Sequence, residues 1–438
     1  MKDKFQTNHP SHRRVLGPLT AMSVVVANMI GTGVFTTTGF LIEDLQHPLT
    51  VLVAWLVGGL VALGGALTYA ELGVRMPRSG GEYHYLSKLF HPLVGFLAGW
   101  VSLVVGFSAP VAAVAVAFSR YIGSVFPSWP VISAAMAAVL LFSLPHLWNV
   151  KLGGRIQYFI TILKILLILG LIIGGFVVAP ANGGDVKLSS FEFTSLATPA
   201  FATGLIFVMY AYSGWNAAAY IGGEIKKPAK NLPLALIVGT VTVVLLYLAL
   251  NFFYMTAVPA EAIAGKVEVG HYVAKALFGS SGGAMISLLI AALLMSTLSS
   301  MIMAGPRVYQ AVGEDYPFFK LLSRKSKGGA PYAAVILQML LAMVLILTFT
   351  FETILVYVGF TLSLFAGLAV AGIFVLRKKH GKTAAYKTWG YPLTPAFFLL
   401  IMAWMIVHTL TTKPLASFVG LGTLALGVVI YLISKQKR

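Results

Sequence analysis

Twelve apolar runs of 18 or more residues recur along this chain of 438 residues and constrain its fold more than any other feature. A helix of about 20 such residues spans the hydrocarbon core of a membrane, which is roughly 30 Å thick. The runs lie near residues 16–42, 49–74, 93–119, 131–148, 156–180, 199–223, 233–257, 283–305, 332–350, 354–376, 392–411 and 415–433. Hydrophobic residues make up 58% of the chain and charged residues 10%, a balance that would not stay soluble in water. The sequence therefore predicts an all-α integral membrane protein with twelve transmembrane helices.

The 31 Lys and Arg residues are distributed unevenly among the predicted loops. If the N-terminus is cytoplasmic, 25 of them lie in the termini and in the loops after even-numbered helices. The opposite side has five, namely Arg120, Lys187, Lys266, Lys275 and Lys413. Because cytoplasmic loops carry the excess of positive charge, we predict a multi-pass protein of the cell membrane with both termini in the cytoplasm. The net charge of +18 then indicates contact with anionic lipids on the cytoplasmic side, and no nucleic acid partner.

Two of the predicted helices are interrupted by glycines. The first helix contains Gly31, Thr32 and Gly33 within ANMIGTGVF, and the sixth contains Ser213 and Gly214 within YAYSGWN. Glycine inside a helix costs about 1 kcal/mol relative to alanine. Unwound backbone facing lipid would also leave its polar groups without partners, so a break is tolerated only where it is buried or lines a cavity. Paired breaks of this kind are typical of transporters.

The positions of the two breaks predict an internal repeat. If the sixth helix restarts the pattern of the first, helices 1–5 and 6–10 form two halves, and the odd number of helices inverts the second half in the membrane. The predicted organisation is a cytoplasmic tail (1–15), a first repeat (16–180), a second repeat (199–380), two extra helices (391–433) and a cytoplasmic C-terminus (434–438).

The two breaks offer opposite partial charges to a ligand. N–H groups freed at residues 31–33 carry the positive end of a helix dipole and suit a carboxylate. Carbonyl groups left where the preceding half-helices end, near residues 28–30 and 210–212, suit an ammonium group. A zwitterion such as an amino acid satisfies both. Alternatively, the glycines only permit close helix packing, as Gly170 and Gly174 are expected to do in a GxxxG arrangement.

Five motifs occur together and in order: ANMIGTGVF, YAELG at 69–73, RMPRSGGEYHYL at 75–86, YSGWN at 212–216 and GEIKKPAKNLP at 223–233. From about residue 15 to residue 380 the chain resembles an amino acid permease of the amino acid–polyamine–organocation superfamily, of the light-chain-like neutral amino acid transporter branch. Helices 11 and 12 resemble the family only in number. The resemblance implies a LeuT-like fold with discontinuous helices 1 and 6.

By that resemblance, both breaks contribute to one substrate site. The implied site residues are Met29, Ile30, Gly31, Thr32, Gly33, Tyr210, Ala211, Ser213 and Gly214. The amides of Thr32 and Gly33 would hold the α-carboxylate, and carbonyls of the flanking residues would hold the α-ammonium. Light-chain relatives place an aromatic gate five residues before the tryptophan of a GW pair, and here that position is Tyr210, before Trp215.

Lys164 is the only charged residue deep within a predicted helix. It follows Arg155, at the cytoplasmic end, by nine residues, or about 13 Å, which places it near the middle of the hydrocarbon core. A cation at that depth must face the protein interior and contact acceptors. No carboxylate is predicted there, so backbone carbonyls and hydroxyls must serve. A lysine buried without a counter-ion loses its proton more readily, so Lys164 could exchange protons near neutral pH.

The family resemblance suggests a role for this lysine. In sodium-independent members, a lysine in this helix takes the place of a coupling sodium ion and touches the first break and helix 8. The resemblance therefore implies proton coupling or sodium-independent exchange, with Lys164 bridging the Gly31 region and the hydroxyls of Thr297, Ser299 or Ser300. The alternative is a fixed structural cation that never titrates.

Three glutamates in the motifs, Glu71, Glu82 and Glu224, are predicted at the cytoplasmic ends of helices. Basic residues, including Arg75 and Arg78, lie nearby in the sequence. This pattern predicts a solvated or gating network of ion pairs at the inner face.

The candidate pocket wall at residues 106–115 is small and apolar, and no acid is predicted at mid-depth to pair with a cationic substrate. The sequence therefore predicts a secondary active transporter for neutral L-amino acids, working by alternating access with protons or by exchange. A sodium-coupled symporter and an amino acid sensor that does not transport remain alternatives. An enzyme is disfavoured because no Ser/His/Asp, paired-acid or His-metal arrangement occurs at a common depth. No metal site and no cofactor are predicted.

Overall fold

A computed structural model describes residues 14–147, 154–178, 191–381 and 385–436. Within these ranges the chain is α-helical and has no β-strand beyond a single bridge between Leu16 and Ile225. Several charges used to predict the topology lie outside the described residues, among them Lys2, Lys4 and Lys187.

Sixteen α-helices follow one another along the described ranges. In chain order, those of the described ranges are α1 (Pro18–Met29), α2 (Gly33–Leu45), α3 (Pro48–Arg75), α4 (Gly81–Leu89), α5 (Pro92–Val101), α6 (Ser108–Gly123), α7 (Val131–His146), α8 (Gly154–Val178), α9 (Pro199–Tyr212), α10 (Ala217–Tyr220), α11 (Pro228–Ala257), α12 (Val269–Asp315), α13 (Tyr332–Thr348), α14 (Phe351–His380), α15 (Leu393–Thr412) and α16 (Pro414–Gln436). A π-helical turn over Ser102–Phe107 joins α5 to α6.

Many of these helices have the length and composition of membrane spans. Eight stretches in the described ranges are long and apolar enough to cross a bilayer: Pro18–Leu45, Pro48–Arg75, Pro92–Gly123, Pro228–Ala257, Val269–Asp315, Phe351–His380, Leu393–Thr412 and Pro414–Ser434. Four shorter apolar helical stretches accompany them: Val131–His146, Thr161–Val177, Pro199–Tyr212 and Tyr332–Thr348. This architecture is that of a multi-pass membrane protein.

Both helix interruptions occur where the sequence predicts them. The first apolar stretch stops being helical after Met29 and resumes at Gly33. The sixth stops at Tyr212, and a four-residue connection leads to α10. Within that connection Gly214 has a φ of +100°, a backbone conformation that favours glycine over residues with a side chain.

Helix α12 is longer than the sequence predicts. The apolar run covers residues 283–305, whereas α12 runs from Val269 to Asp315 as two helical pieces that meet at Gly279, whose backbone angles (φ 72°, ψ −176°) are not helical. The extensions at both ends contain polar residues, so hydropathy does not reveal them. Between Gly279 and Asp315 the backbone stays helical beyond the apolar segment, because helical hydrogen bonding does not depend on side-chain polarity.

Helix packing brings the two interruptions together. Helix α2 packs on α9, while α1 packs on α11 and α11 packs on α3. Behind the breaks, the rings of Trp55, Tyr212 and Tyr247 lie 5.3–5.6 Å apart and fill the interior. Helices α15 and α16 lie at the side of the bundle, against α14.

Ion pairs join residues that the predicted topology puts on the same side of the membrane. Lys413 lies 2.6 Å from Glu352 and 4.0 Å from Asp44, all three predicted to be outside. At the opposite end of the bundle, the buried carboxylate of Glu71 lies 2.6 Å from Arg377. This second pair ties α3 to α14.

The predicted GxxxG contact of helix α8 is wrong. A Cβ added at Gly170 would meet no atom within 4 Å, and one at Gly174 would meet only the Phe278 ring at 3.9 Å. Close packing occurs instead at Gly175, where an added Cβ would lie 1.9 Å from the Phe253 ring. Consecutive helical residues point about 100° apart, so a shift of one position selects a different face of α8.

Candidate substrate-binding site

The two interruptions pack directly against each other. A Cβ added at Gly33 would lie 2.3 Å from the Cα atom of Ala211, and one added at Gly214 would lie 2.8 Å from the carbonyl carbon of Asn28. Side chains at these two positions would push the segments apart. Gly31 is different, because a Cβ there would meet only the Thr297 methyl group at 4.0 Å.

For Gly33, this contact favours the alternative of close helix packing that the sequence leaves open. The missing side chain at Gly33 makes room for Ala211 and not for a ligand. Close helix packing therefore explains this glycine. The amides of Thr32 and Gly33 still stand at the N-terminus of α2, where N–H groups have no earlier helical turn to bond. A carboxylate would have to approach them from the more open side near Gly31.

The candidate gate residue contacts the N-terminus of α2. The hydroxyl groups of Tyr210 and Thr32 form a hydrogen bond of 2.7 Å, and either group can donate. Tyr210 is 5% exposed and Thr32 is 2% exposed. The aromatic residue thus connects the second break to the position predicted for the substrate carboxylate.

Buried side chains already bind two carbonyls at the end of α1. The Tyr247 hydroxyl donates to the Met29 carbonyl at 2.6 Å, and the Gly31 N–H donates to the same oxygen at 2.9 Å. Lys164 donates to the Ile30 carbonyl at 3.0 Å. Since a carbonyl oxygen has two acceptor positions, Met29 is fully bonded, which leaves Ile30 as the acceptor for a ligand at this helix end.

Lys164 links three elements at the first break. Its ammonium group is buried and donates to Ile30 and, at 2.7 Å, to the hydroxyl of Thr297 on α12. That hydroxyl in turn donates to the Leu293 carbonyl at 3.1 Å. Both acceptors of Lys164 are neutral oxygens, as the sequence predicts for a cation without a nearby carboxylate.

The three candidate hydroxyls of α12 have different partners. Thr297 contacts Lys164, whereas the hydroxyl of Ser299 lies 3.3 Å from the imidazole of His146. Ser300 donates to the Ser296 carbonyl of its own helix at 2.9 Å. Of the three alternatives implied by the resemblance, Thr297 bonds Lys164, and Ser299 lies on another face because two residues turn a helix by about 200°.

The two sides of the first break differ in exposure. Asn28, which precedes the break, is exposed, and α2 is buried from Gly33 through Ile42. Ser213 and Gly214 of the second break are partly exposed. The broken region is therefore accessible from the side of α1 and closed on the side of α2.

Sequence reasoning missed the contribution of Tyr247. This residue lies 218 positions from the Met29 carbonyl that it binds, on α11. Its ring also packs against Trp55 and Tyr212. A tyrosine within an apolar helix is a signal for a buried hydrogen bond, but the sequence does not identify the acceptor.

Comparisons with known proteins agree with this architecture. The family described as amino acid permease matches residues 16–433, which includes α15 and most of α16. The chain is 29% identical to the serine/threonine exchanger SteT of Bacillus subtilis, covering 97% of this chain and 98% of the exchanger. It is 27% identical to the human b(0,+)-type amino acid transporter 1, covering 92% and 84%.

A third relative is the rat large neutral amino acids transporter small subunit 2. It is 30% identical to the chain and covers 96% of it, and 80% of the rat protein is matched. All three relatives are transporters or exchangers by name, and none is an enzyme. The chain therefore belongs to the amino acid permease family of the amino acid–polyamine–organocation superfamily.

Proposed function

We propose that this protein is a secondary active transporter that moves neutral L-amino acids across the cell membrane by alternating access. The observation that carries the proposal is the meeting of two helix interruptions in a buried region, with Gly33 packed on Ala211. The names of the relatives support amino acid transport in general. The choice of neutral substrates and the coupling mode are our inference.

The proposed architecture has twelve transmembrane helices, of which the first ten form a LeuT-like 5+5 inverted repeat. The repeats would comprise residues 16–180 and 199–380, with α15 and α16 added outside them. The matching interruptions in α1/α2 and α9/α10 support this organisation. The proposed cytoplasmic location of both termini, next to anionic lipids, rests on the distribution of Lys and Arg.

In the proposed site, the substrate bridges the two breaks. Its α-carboxylate would bind the amides of Thr32 and Gly33, where the dipole of α2 favours an anion. Its α-ammonium would bind carbonyls of Ile30, Tyr210, Ala211 or Ser213. The side chains that bond the broken segments, those of Lys164, Tyr247 and Tyr210, are not acidic. A cationic substrate side chain would find no counter-charge among them.

The exposure of Asn28 and the burial of α2 support an inward-facing state, in which the substrate leaves past α1. The bond between Tyr210 and Thr32 then closes the other side of the site. Alternating access requires this hydrogen bond to break when the site opens to the outside of the cell. Tyr210 would therefore act as the gate, since it joins the two segments that must separate.

Sodium independence is proposed from the position of Lys164. Its ammonium group already binds the carbonyl of the first break and the hydroxyl of α12, so a cation occupies the place between these elements. A second cation there would be repelled. Coupling would then depend on protons, with Lys164 as the carrier, or on exchange of one amino acid for another.

Uptake of labelled amino acids into proteoliposomes tests the function. We expect uptake or counterflow of neutral amino acids that is unaffected by an imposed sodium gradient. A response to an imposed pH gradient would identify proton coupling, and counterflow without such a response would identify exchange. Strong sodium dependence would contradict the role of Lys164. Saturable binding without accumulation or counterflow would identify a sensor.

A further inference from the structure

The buried carboxylate of Glu82 has an unexpected set of partners. Glu82 lies in the first turn of α4 and is 6% exposed. One of its oxygens accepts hydrogen bonds from the Tyr69 hydroxyl at 2.7 Å and from the Asn216 side-chain amide at 2.6 Å. The other accepts from the Tyr220 hydroxyl. The sequence predicts an ion network for this residue, whereas these three donors are uncharged.

The three donors belong to segments that must be held in place. Tyr69 lies on α3, Asn216 directly precedes α10, and Tyr220 is the last residue of α10. Helix α10 has only four residues, fewer than a helix needs to be stable alone. Its position therefore depends on outside contacts, and a single carboxylate binds both of its ends.

The same contacts reach the second break. Asn216 follows Ser213, a proposed substrate-binding residue, by three positions. Between them, the ring of Trp215 packs edge-on against the Tyr69 ring, with 4.7 Å between centroids. Glu82 thus fixes the Asn216 side chain and the Tyr69 ring that supports Trp215. Hydrogen bonds to a charged acceptor are stronger than those between neutral groups, which suits this anchoring role.

We propose that Glu82 is a positioning residue for the substrate site, acting through Asn216 and Tyr220 on the segment that follows the second break. The inference rests on the proposed transport function. Removing the carboxylate would leave the buried Tyr69 hydroxyl and the partly exposed Asn216 and Tyr220 donors without this acceptor, and would loosen α10. The carbonyls near Ser213 would then lose the fixed geometry that a substrate ammonium requires.

The absence of cysteine from the chain permits a direct test. Ala219 lies in α10 and is fully buried, so Ala219→Cys introduces one hidden thiol. We expect Glu82→Ala to raise the rate of maleimide labelling of that thiol about tenfold, because α10 is released. Tyr83→Phe is the matched control, since Tyr83 is the next residue of α4 and its hydroxyl donates to Asp315, away from α10, at 2.7 Å. The control should leave labelling unchanged.

Transport kinetics provide the second measurement. We expect Glu82→Ala and Asn216→Ala each to raise KM about tenfold. The KM of the double variant should be no higher than that of either single variant, because both changes break the same hydrogen bond. Glu82→Gln keeps the size and one acceptor oxygen and should restore part of the loss. If Glu82→Ala does not insert into the membrane, the kinetic comparison is made with Glu82→Gln, alone and combined with Asn216→Ala.

Unchanged labelling in Glu82→Ala, or fully additive effects of the Glu82 and Asn216 variants on KM, would overturn the inference. These outcomes differ from a failure of the proposed function. If the unmodified protein binds amino acids without transporting them, transport is disproved. The labelling of Ala219→Cys still reports whether Glu82 holds α10.

Discussion

Replacing Gly33 by valine is expected to abolish amino acid uptake while leaving the protein inserted in the membrane. A Cβ at this position would lie 2.3 Å from the Cα of Ala211 and 2.5 Å from its Cβ, so α2 or α9 must shift. Because these atoms join the two breaks, the shift separates the groups proposed to hold the substrate. We expect the initial uptake rate to fall at least about a hundredfold, as misplacements of about 1 Å do in enzyme sites.

Gly170→Val is the matched control for this substitution. A Cβ at Gly170 would meet nothing within 4 Å, so the same added side chain should leave uptake close to that of the unmodified protein. Equal amounts of both variants in the membrane, measured by quantitative blotting, would separate transport from insertion. Normal uptake by Gly33→Val would contradict the close junction of the breaks as the functional centre.

Replacing Lys164 by methionine is expected to have the second-largest effect. Methionine fills a similar volume but cannot donate to Ile30 and Thr297, so the first break loses its connection to α8 and α12. Hydrogen bonds from a charged donor stabilise by about 1.5–3 kcal/mol, and uptake should therefore fall between about tenfold and a hundredfold. If Lys164 carries the coupling proton, the remaining uptake should not vary between pH 5 and pH 8.

Two further variants serve as a control and as a test of the contact between Lys164 and Thr297. Lys275→Met removes an exposed lysine near the predicted outer end of α12 and should leave the pH profile unchanged. Thr297→Val removes the second acceptor of Lys164 and should add little to the loss in Lys164→Met, because both changes break the same contact. A pH profile of Lys164→Met identical to that of the unmodified protein would restrict Lys164 to a structural role.

The features predicted correctly from the sequence depend on local chemistry. Gly31 and Gly33 in one apolar run, and Gly214 in another, indicate breaks because glycine lowers helix stability and the two sites match in position along their helices. Lys164 must find neutral acceptors because a buried cation cannot remain without them, and the structure places Thr297 beside it. Neither inference required knowledge of how distant segments pack.

The features missed or misplaced depend on packing between distant segments. Glu82 binds Asn216 across 134 positions, and only the folded chain reveals this contact. From the sequence, Gly33 could be explained as part of a ligand site. Its close contact with Ala211 can be seen only in the folded chain. Ser299 could have been excluded in advance, because a helix cannot point it and Thr297 toward the same neighbour.

The most direct test of the account measures protection of a single thiol in the second break. Ser213→Cys introduces the only cysteine of the chain at a partly exposed position next to the proposed ammonium site. We predict that a neutral amino acid slows maleimide modification of this thiol, with half-protection at the KM for uptake. The methyl ester of that amino acid, which lacks the carboxylate, should give no protection. An unchanged modification rate at amino acid concentrations that saturate uptake by this variant would contradict a substrate site between the two breaks.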